Sequence, residues 1–128
     1  MEDVNIIMNT ETQCLIVEHL YTVENYLTFN IQVKSGGFAG QSNFCISKEK
    51  IGEIIQSLEE AYEKLSGRSQ IDDYDSDAHL VIKATRLGKV TVSGQIGGSH
   101  QEHSMRFEFT SDQTVLERLI NLFNVLIR

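Results

Sequence analysis

Hydrophobic and polar positions along the chain follow two periods, and the shorter one predicts strands. Within residues 25–34, Leu27, Phe29, Ile31 and Val33 alternate with polar residues, as in a strand with one buried face. Other alternating or short apolar runs predict six further strands, at Val4–Met8, Cys14–Val17, Gln41–Ile46, His79–Leu87, Lys89–Ile96 and Ser104–Thr110.

The longer period predicts two helices. The first runs from about Lys48 to Leu65, with Ser47 as its N-cap and Gly67 as its terminator. Its buried side is narrow, and its opposite side carries glutamates. The second starts at Ser111 and Asp112, whose side-chain oxygens suit a first helical turn. Its apolar arc is wide enough to cover a sheet and comprises Val115, Leu116, Leu119, Ile120, Leu122, Phe123, Leu126 and Ile127.

The order of these elements predicts an α+β fold. The strands are closely spaced, and the chain supplies two helices, whereas a parallel sheet needs a crossover between most strand pairs. We therefore expect a single domain over residues 1–128 with the order ββββ-α-βββ-α. It would hold a mainly antiparallel sheet of about six to seven strands, with the two amphipathic helices packed on one face. Residues 66–77 are interpreted as a polar connection.

Composition is that of an ordinary globular chain, with 41% hydrophobic and 23% charged residues in 128. We find no apolar run of the roughly 20 residues that a membrane span needs. The N-terminus, MEDVNIIMNT, is acidic where a signal peptide would be basic. A cytoplasmic location is therefore expected, in which Cys14 and Cys45 would remain thiols.

Charge is unevenly distributed within the net value of −7. Residues 49–77 hold nine carboxylates against three basic side chains, a net charge of −6. This distribution argues against nucleic-acid binding and permits a basic protein partner. We interpret the acidic residues either as a solvated face or as a steering surface for such a partner, and the candidate contacts are Glu53, Glu59, Glu60, Glu63, Asp72, Asp73, Asp75 and Asp77.

Candidate chemistry is sparse. A metal site would need His100 and His103 to converge with other histidines and a carboxylate such as Glu102, but their loose spacing in a Gly/Ser segment is typical of a hairpin loop. The acidic segment fails as a calcium loop, because positions six and twelve counted from Asp72 are Asp77 and Lys83. We predict no catalytic, cofactor or metal site. A small-ligand or metal-dependent enzyme, and a structural homodimer pairing through the Val4–Met8 edge, remain as alternatives.

Several short motifs resemble the WapI-like immunity proteins of bacterial toxin–immunity systems. Together they cover most of the chain from Phe38 to the C-terminus. They are Phe38-Ala39-Gly40, Leu65-Ser66-Gly67, Gly88-x-Val90-x-Val92-x-Gly94-x-Ile96 and Phe107-x-Phe109-Thr110-Ser111-Asp112-Gln113-Thr114-x-Leu116.

The resemblance implies a non-enzymatic cytoplasmic protein of a contact-dependent toxin–immunity system. Such a protein binds and neutralises the toxic C-terminal domain of a secreted, cell-wall-associated or repeat-rich toxin. In that family the toxin is typically a nuclease that acts on RNA. No binding residue carries over position by position, and Asp112-Gln113-Thr114 is explained as a helix start. The resulting hypothesis is an immunity protein whose acidic face meets a basic nuclease.

Overall fold

A computed structural model of the chain describes residues 4–98 and 103–127. Within these residues the protein consists of two four-stranded antiparallel sheets, each followed by a helix. The first half is β1 (Val4–Asn9), β2 (Gln13–Val23), β3 (Tyr26–Ser35), β4 (Phe38–Ser47) and α1 (Lys48–Lys64). The second half is β5 (Gly67–Asp72), β6 (His79–Ala84), β7 (Lys89–Gly97), β8 (Ser104–Asp112) and α2 (Thr114–Ile127). Both sheets have their strands in chain order, and the predicted α+β class is confirmed.

The described strands number eight rather than six to seven, because β5 lies in the segment predicted to be a polar connection. Ser69 and Ile71, two positions apart, both face the core. Because Ser69 is polar, the sequence does not show the alternation of apolar and polar residues that indicates a strand. Its hydroxyl is 2.6 Å from the Ser57 hydroxyl on α1, so a hydrogen bond satisfies both groups where they are shielded from water. An alternation with one apolar member is too short to identify from sequence.

A single hydrophobic core joins both sheets and both helices. The predicted inward face of β3 is confirmed, with Leu27, Phe29, Ile31 and Val33 all at most 2% exposed. In β1 the sequence alternation puts Val4, Ile6 and Met8 on one face, and this is wrong at Ile6, because a bulge shifts the register between Ile6 and Met8. As a result Ile6 is 52% exposed, and its neighbour at position 7 is buried instead.

The sheets approach each other closely where β4 contacts β7 and β8. A Cβ atom added at Gly40 of β4 would stand 3.3 Å from the Met105 sulfur, so the small residue permits this contact. Within the second sheet, Gly94 of β7 has φ +151°, and an added Cβ would meet the His79 carbonyl oxygen at 2.1 Å. Glycine is therefore required at position 94 by both backbone conformation and space.

Helix α1 starts as predicted, whereas α2 begins at Thr114, and Ser111 and Asp112 belong to the end of β8. The Ser47 hydroxyl accepts a hydrogen bond from the Lys50 N–H at 3.1 Å, and the Asp112 carboxylate accepts one from the Thr114 N–H at 2.9 Å. Helix α1 ends one residue earlier than predicted. Leu65, predicted as the last helical residue, adopts a left-handed conformation with φ 53° and is 44% exposed.

The two helices pack against each other, and α1 also packs on β5. This arrangement leaves the glutamate-bearing side of α1 open to solvent. No helix in the described part of the chain has the length and apolar character required to cross a membrane.

Candidate protein-binding surface

Seven of the eight predicted contact residues are exposed, and some of them line two clefts near opposite ends of α1. Glu59 and Glu63 lie near its C-terminal end, where they line a groove. Asp72 lines a different cleft together with Lys50, near the N-terminal end. Lys50 and Glu63 are thirteen positions apart, which is about 20 Å along a helix axis. The acidic residues therefore form an elongated surface rather than one compact cluster.

The groove lies between α1 and α2 and has carboxylates on both sides. Glu59, Tyr62 and Glu63 line it from α1, and Glu117 lines it from α2. The Tyr62 hydroxyl donates a hydrogen bond to Glu117 Oε1 across the helix pair. This bond, together with the negative charge of Glu117, raises the pKa of Tyr62 above its usual 10.0. The groove is thus acidic, and a hydrogen bond between Tyr62 and Glu117 joins its two helices.

Glu117 belongs to this surface but was not among the predicted contacts. Helical periodicity places it on the polar side of α2, and this assignment is confirmed by its exposure. The sequence predicts that both helices pack on one face, but it does not indicate which residues of α1 and α2 lie side by side, because that depends on how the two sheets pack.

Asp73 is the exception among the eight residues, since it is only 8% exposed. Its Oδ1 atom accepts hydrogen bonds from the Cys45 N–H at 2.9 Å and the Asp75 N–H at 3.2 Å, and its Oδ2 accepts one from the Ser76 hydroxyl. The expectation of a fully exposed acidic loop is therefore wrong at Asp73. Its carboxylate serves inside the protein, where it fastens the loop to strand β4.

Backbone hydrogen bonds reinforce this attachment. The Tyr74 N–H donates to the Cys45 carbonyl at 3.0 Å, and the Asp73 N–H donates to the Ala78 carbonyl at 3.0 Å. Residues 73–78 are thus held both to the edge of the first sheet and to the start of the strand that follows them. The exposed side chains of Asp75 and Asp77 project from a loop with a defined conformation.

An aromatic pair stands beside this loop. The rings of Tyr26 and Tyr74 have centroids 5.7 Å apart and are inclined by 47°. Tyr74 is 73% exposed, and both rings border a cleft of about 400 Å³ that Asp72 also lines. Neither tyrosine was predicted as a contact. For Tyr74, the sequence feature that could have indicated a contact is one aromatic residue within an otherwise polar run, Asp72-Asp73-Tyr74-Asp75-Ser76-Asp77.

One cation, Lys50, lines this cleft. The Lys50 ammonium lies 3.9 Å from Glu53 Oε1, one helical turn away, and both side chains are more than half exposed. Such a pair contributes little to stability in water. It does, however, place a carboxylate near the positive charge of Lys50, while Asp72 lines the same cleft.

The two cysteines are free thiols on the outer side of the first sheet. Burial raises the pKa of the Cys14 thiol, and burial together with the nearby Asp75 carboxylate raises that of Cys45. Both groups are therefore protonated near neutral pH. A protonated thiol is a poor nucleophile.

The residues considered for a metal site are dispersed where the structure describes them. The His19 ring nitrogen Nε2 lies 2.8 Å from the Thr22 hydroxyl, and the His79 Nδ1 lies 2.9 Å from the Asp77 carbonyl. His100 and Glu102 lie outside the described residues. Among residues 4–98 and 103–127, no three His, Cys, Asp or Glu side chains are grouped so as to hold a metal ion.

The β1 edge, considered above for dimerisation, is partly covered by the chain itself. Arg118 of α2 donates hydrogen bonds to the carbonyls of Ile6 at 3.4 Å and of the next residue at 3.1 Å. These contacts coincide with the bulge, and both features disfavour the addition of a further strand at this edge.

Comparison with known proteins gives one result that concerns nearly the whole chain. The model of the immunity protein WapI-like family matches residues 10–127, which confirms the resemblance inferred from the motifs. No curated protein and no solved structure matches.

Proposed function

Because the chain belongs to the WapI-like immunity protein family, we propose that it binds and neutralises the cytotoxic C-terminal domain of a secreted bacterial toxin. The partner is a basic nuclease that cleaves RNA, and the encounter takes place in the cytoplasm of the protected cell. A protein that blocks a toxin by binding needs no active site of its own.

The groove between the helices is the observation that supports this proposal most strongly. Glu59 and Glu63 approach it from one helix and Glu117 from the other. A nuclease must attract the phosphates of its RNA with basic side chains. A groove bordered by three carboxylates is complementary to such a surface, and its occupation would prevent the RNA from binding there.

The spread of acidic residues along the protein predicts a kinetic signature. Exposed charges act over about 10 Å at moderate ionic strength, so they guide the approach of the partner before contact is made. Their removal is expected to reduce the association rate more than it increases the dissociation rate. High salt should slow association of the wild-type chain for the same reason.

A matched pair of charge reversals tests the surface. Glu59→Lys/Glu63→Lys changes the groove, whereas Glu11→Lys/Glu108→Lys produces the same change in net charge at exposed positions elsewhere. Each variant is produced together with the C-terminal domain of the cognate toxin. We expect the groove variant to lose protection of the producing cells, and the control to retain it. Equal protection by both variants would refute the groove as the binding surface.

A further inference from the structure

The cleft at the N-terminal end of α1 differs from the groove in having aromatic walls. Tyr26 and Tyr74 are 40% and 73% exposed, and their ring centroids are 5.7 Å apart. Asp72 lines the same cleft, and the Gln70 side-chain amide donates a hydrogen bond to its Oδ1 at 2.9 Å. The cleft therefore combines two aromatic faces with an oriented carboxylate.

Tyr74 is exposed, yet its position is fixed by its neighbours. The buried Asp73 carboxylate and the Tyr74 N–H are both bonded to the backbone of Cys45, at 2.9 Å and 3.0 Å. An exposed aromatic ring on a fastened backbone loses little conformational freedom when a partner covers it. Tyrosines with these properties are common among the residues that dominate binding energy at interfaces.

The charge around the cleft identifies the kind of side chain that fits. Among the residues that line the cleft, Asp72 and Asp73 are acidic and Lys50 is basic, and the Lys50 ammonium lies 3.9 Å from Glu53 Oε1. An apolar group placed here would leave Asp72 without water or a counter-charge, which is unfavourable. A guanidinium group, by contrast, stacks on tyrosine faces and donates hydrogen bonds to a carboxylate.

Building on the proposed function, we infer that Tyr26, Tyr74 and Asp72 form an anchor site for one arginine side chain at the margin of the toxin's basic surface. The groove carboxylates and this site then have different roles. The carboxylates accelerate the encounter, whereas the anchor retains the partner once it is bound. Removal of the anchor should therefore increase the dissociation rate of the complex.

Stopped-flow or surface-based kinetics with the toxin C-terminal domain tests the anchor. We expect Tyr74→Ala to increase the dissociation rate at least tenfold and to change the association rate less than twofold. Tyr74→Phe keeps the aromatic face and should dissociate within twofold of wild type. Asp72→Asn is expected to dissociate about fivefold faster, because an amide replaces the charge that faces the guanidinium.

The matched control is Phe38→Ala, which removes a ring of similar exposure (74%) at the start of β4. Thermal unfolding of every variant establishes that it is folded. If wild type binds the toxin domain and Tyr74→Ala dissociates no faster than Phe38→Ala, the anchor is refuted while the proposed function stands. If wild type does not bind at all, the proposed function fails, and the anchor fails with it.

Discussion

The Asp73 carboxylate accepts a hydrogen bond from the backbone N–H of Cys45, 28 positions earlier in the chain, at 2.9 Å. This bond joins the acidic loop of the second half to the last strand of the first sheet. It places Tyr74 beside Tyr26 and sets the conformation of the exposed carboxylates. The geometry of the surface proposed to meet the toxin thus depends on an aspartate that is itself buried.

Replacement of this aspartate tests that dependence. Asp73→Ala leaves the Cys45 N–H without its partner, so we expect the free energy of unfolding to fall by about 1–3 kcal/mol. Hydrogen exchange of residues 73–78 should accelerate by more than the global loss of stability explains. Urea denaturation and exchange mass spectrometry measure the two effects. The exposed neighbour variant Asp75→Ala serves as the control, and equal exchange in both variants would contradict this role.

The start of α2 predicts a pH dependence. Hydrogen bonds from the Thr114 hydroxyl and backbone N–H lower the pKa of Asp112 from its ordinary value of 3.8. Because the pKa is lower in the folded state, the carboxylate stabilises the protein above pH 3.8, and this contribution is lost as the pH falls through the folded-state value. Asp112→Ala should therefore lose about 1 kcal/mol at neutral pH.

Urea denaturation at several pH values checks this prediction. The difference between wild type and Asp112→Ala should shrink as the solution is acidified, since both proteins then lack the charged cap. Asp112→Asn should remain close to wild type at neutral pH, because asparagine caps a helix nearly as well as aspartate. A difference that is independent of pH would rule out a charged cap.

The link across the groove is accessible to spectroscopy. Glu117 raises the pKa of Tyr62, so the neutral phenol contributes to stability below pH 10.0, and this contribution is lost as the pH rises through the folded-state value. In Glu117→Gln we expect Tyr62 to titrate closer to 10.0. The titration is followed by tyrosinate absorbance. The signal of Tyr62 is obtained by subtracting the absorbance of the same protein with Tyr62→Phe added. Glu63→Gln, which leaves the hydrogen bond in place, should not shift it.

Two glycines give opposite predictions for the same substitution. Gly94→Ala places a Cβ 2.1 Å from the His79 carbonyl oxygen, so β6 and β7 must separate, and we expect a loss of about 1–3 kcal/mol. Gly52 lies within α1 with open space around it, and Gly52→Ala should stabilise the protein by about 0.5–1 kcal/mol. Thermal unfolding of both variants measures these changes. Comparable stabilities of the two variants would show that β6 and β7 do not approach so closely at position 94.

The sequence predicted those elements in which buried residues recur at regular intervals along the chain. Strand β3 buries all four residues that its periodicity assigned, and helix α2 buries five of eight, while Ile120, Leu126 and Ile127 are partly buried. Strand β5 was missed because the buried Ser69 looks like a solvent-facing residue until Ser57 is placed beside it. The bulge that exposes Ile6 also leaves no mark on a simple alternation.

The candidate surface was predicted less completely than the fold. Exposure of the glutamates on α1 follows from helical periodicity alone, and it is confirmed. Glu117, Tyr26 and Tyr74 join the surface through contacts between distant segments. These contacts depend on the packing of two sheets, which local patterns do not determine. For the same reason the inward-facing role of Asp73 emerges only from the structure.

The central claim is that this protein inhibits a toxin by forming a stoichiometric complex with it. The most direct measurement titrates the wild-type chain into the C-terminal domain of the cognate toxin, while RNA cleavage and heat of binding are recorded. We predict a one-to-one complex and complete loss of RNA cleavage at the equivalence point. Undiminished cleavage in the presence of excess protein, without heat of binding, would contradict the account.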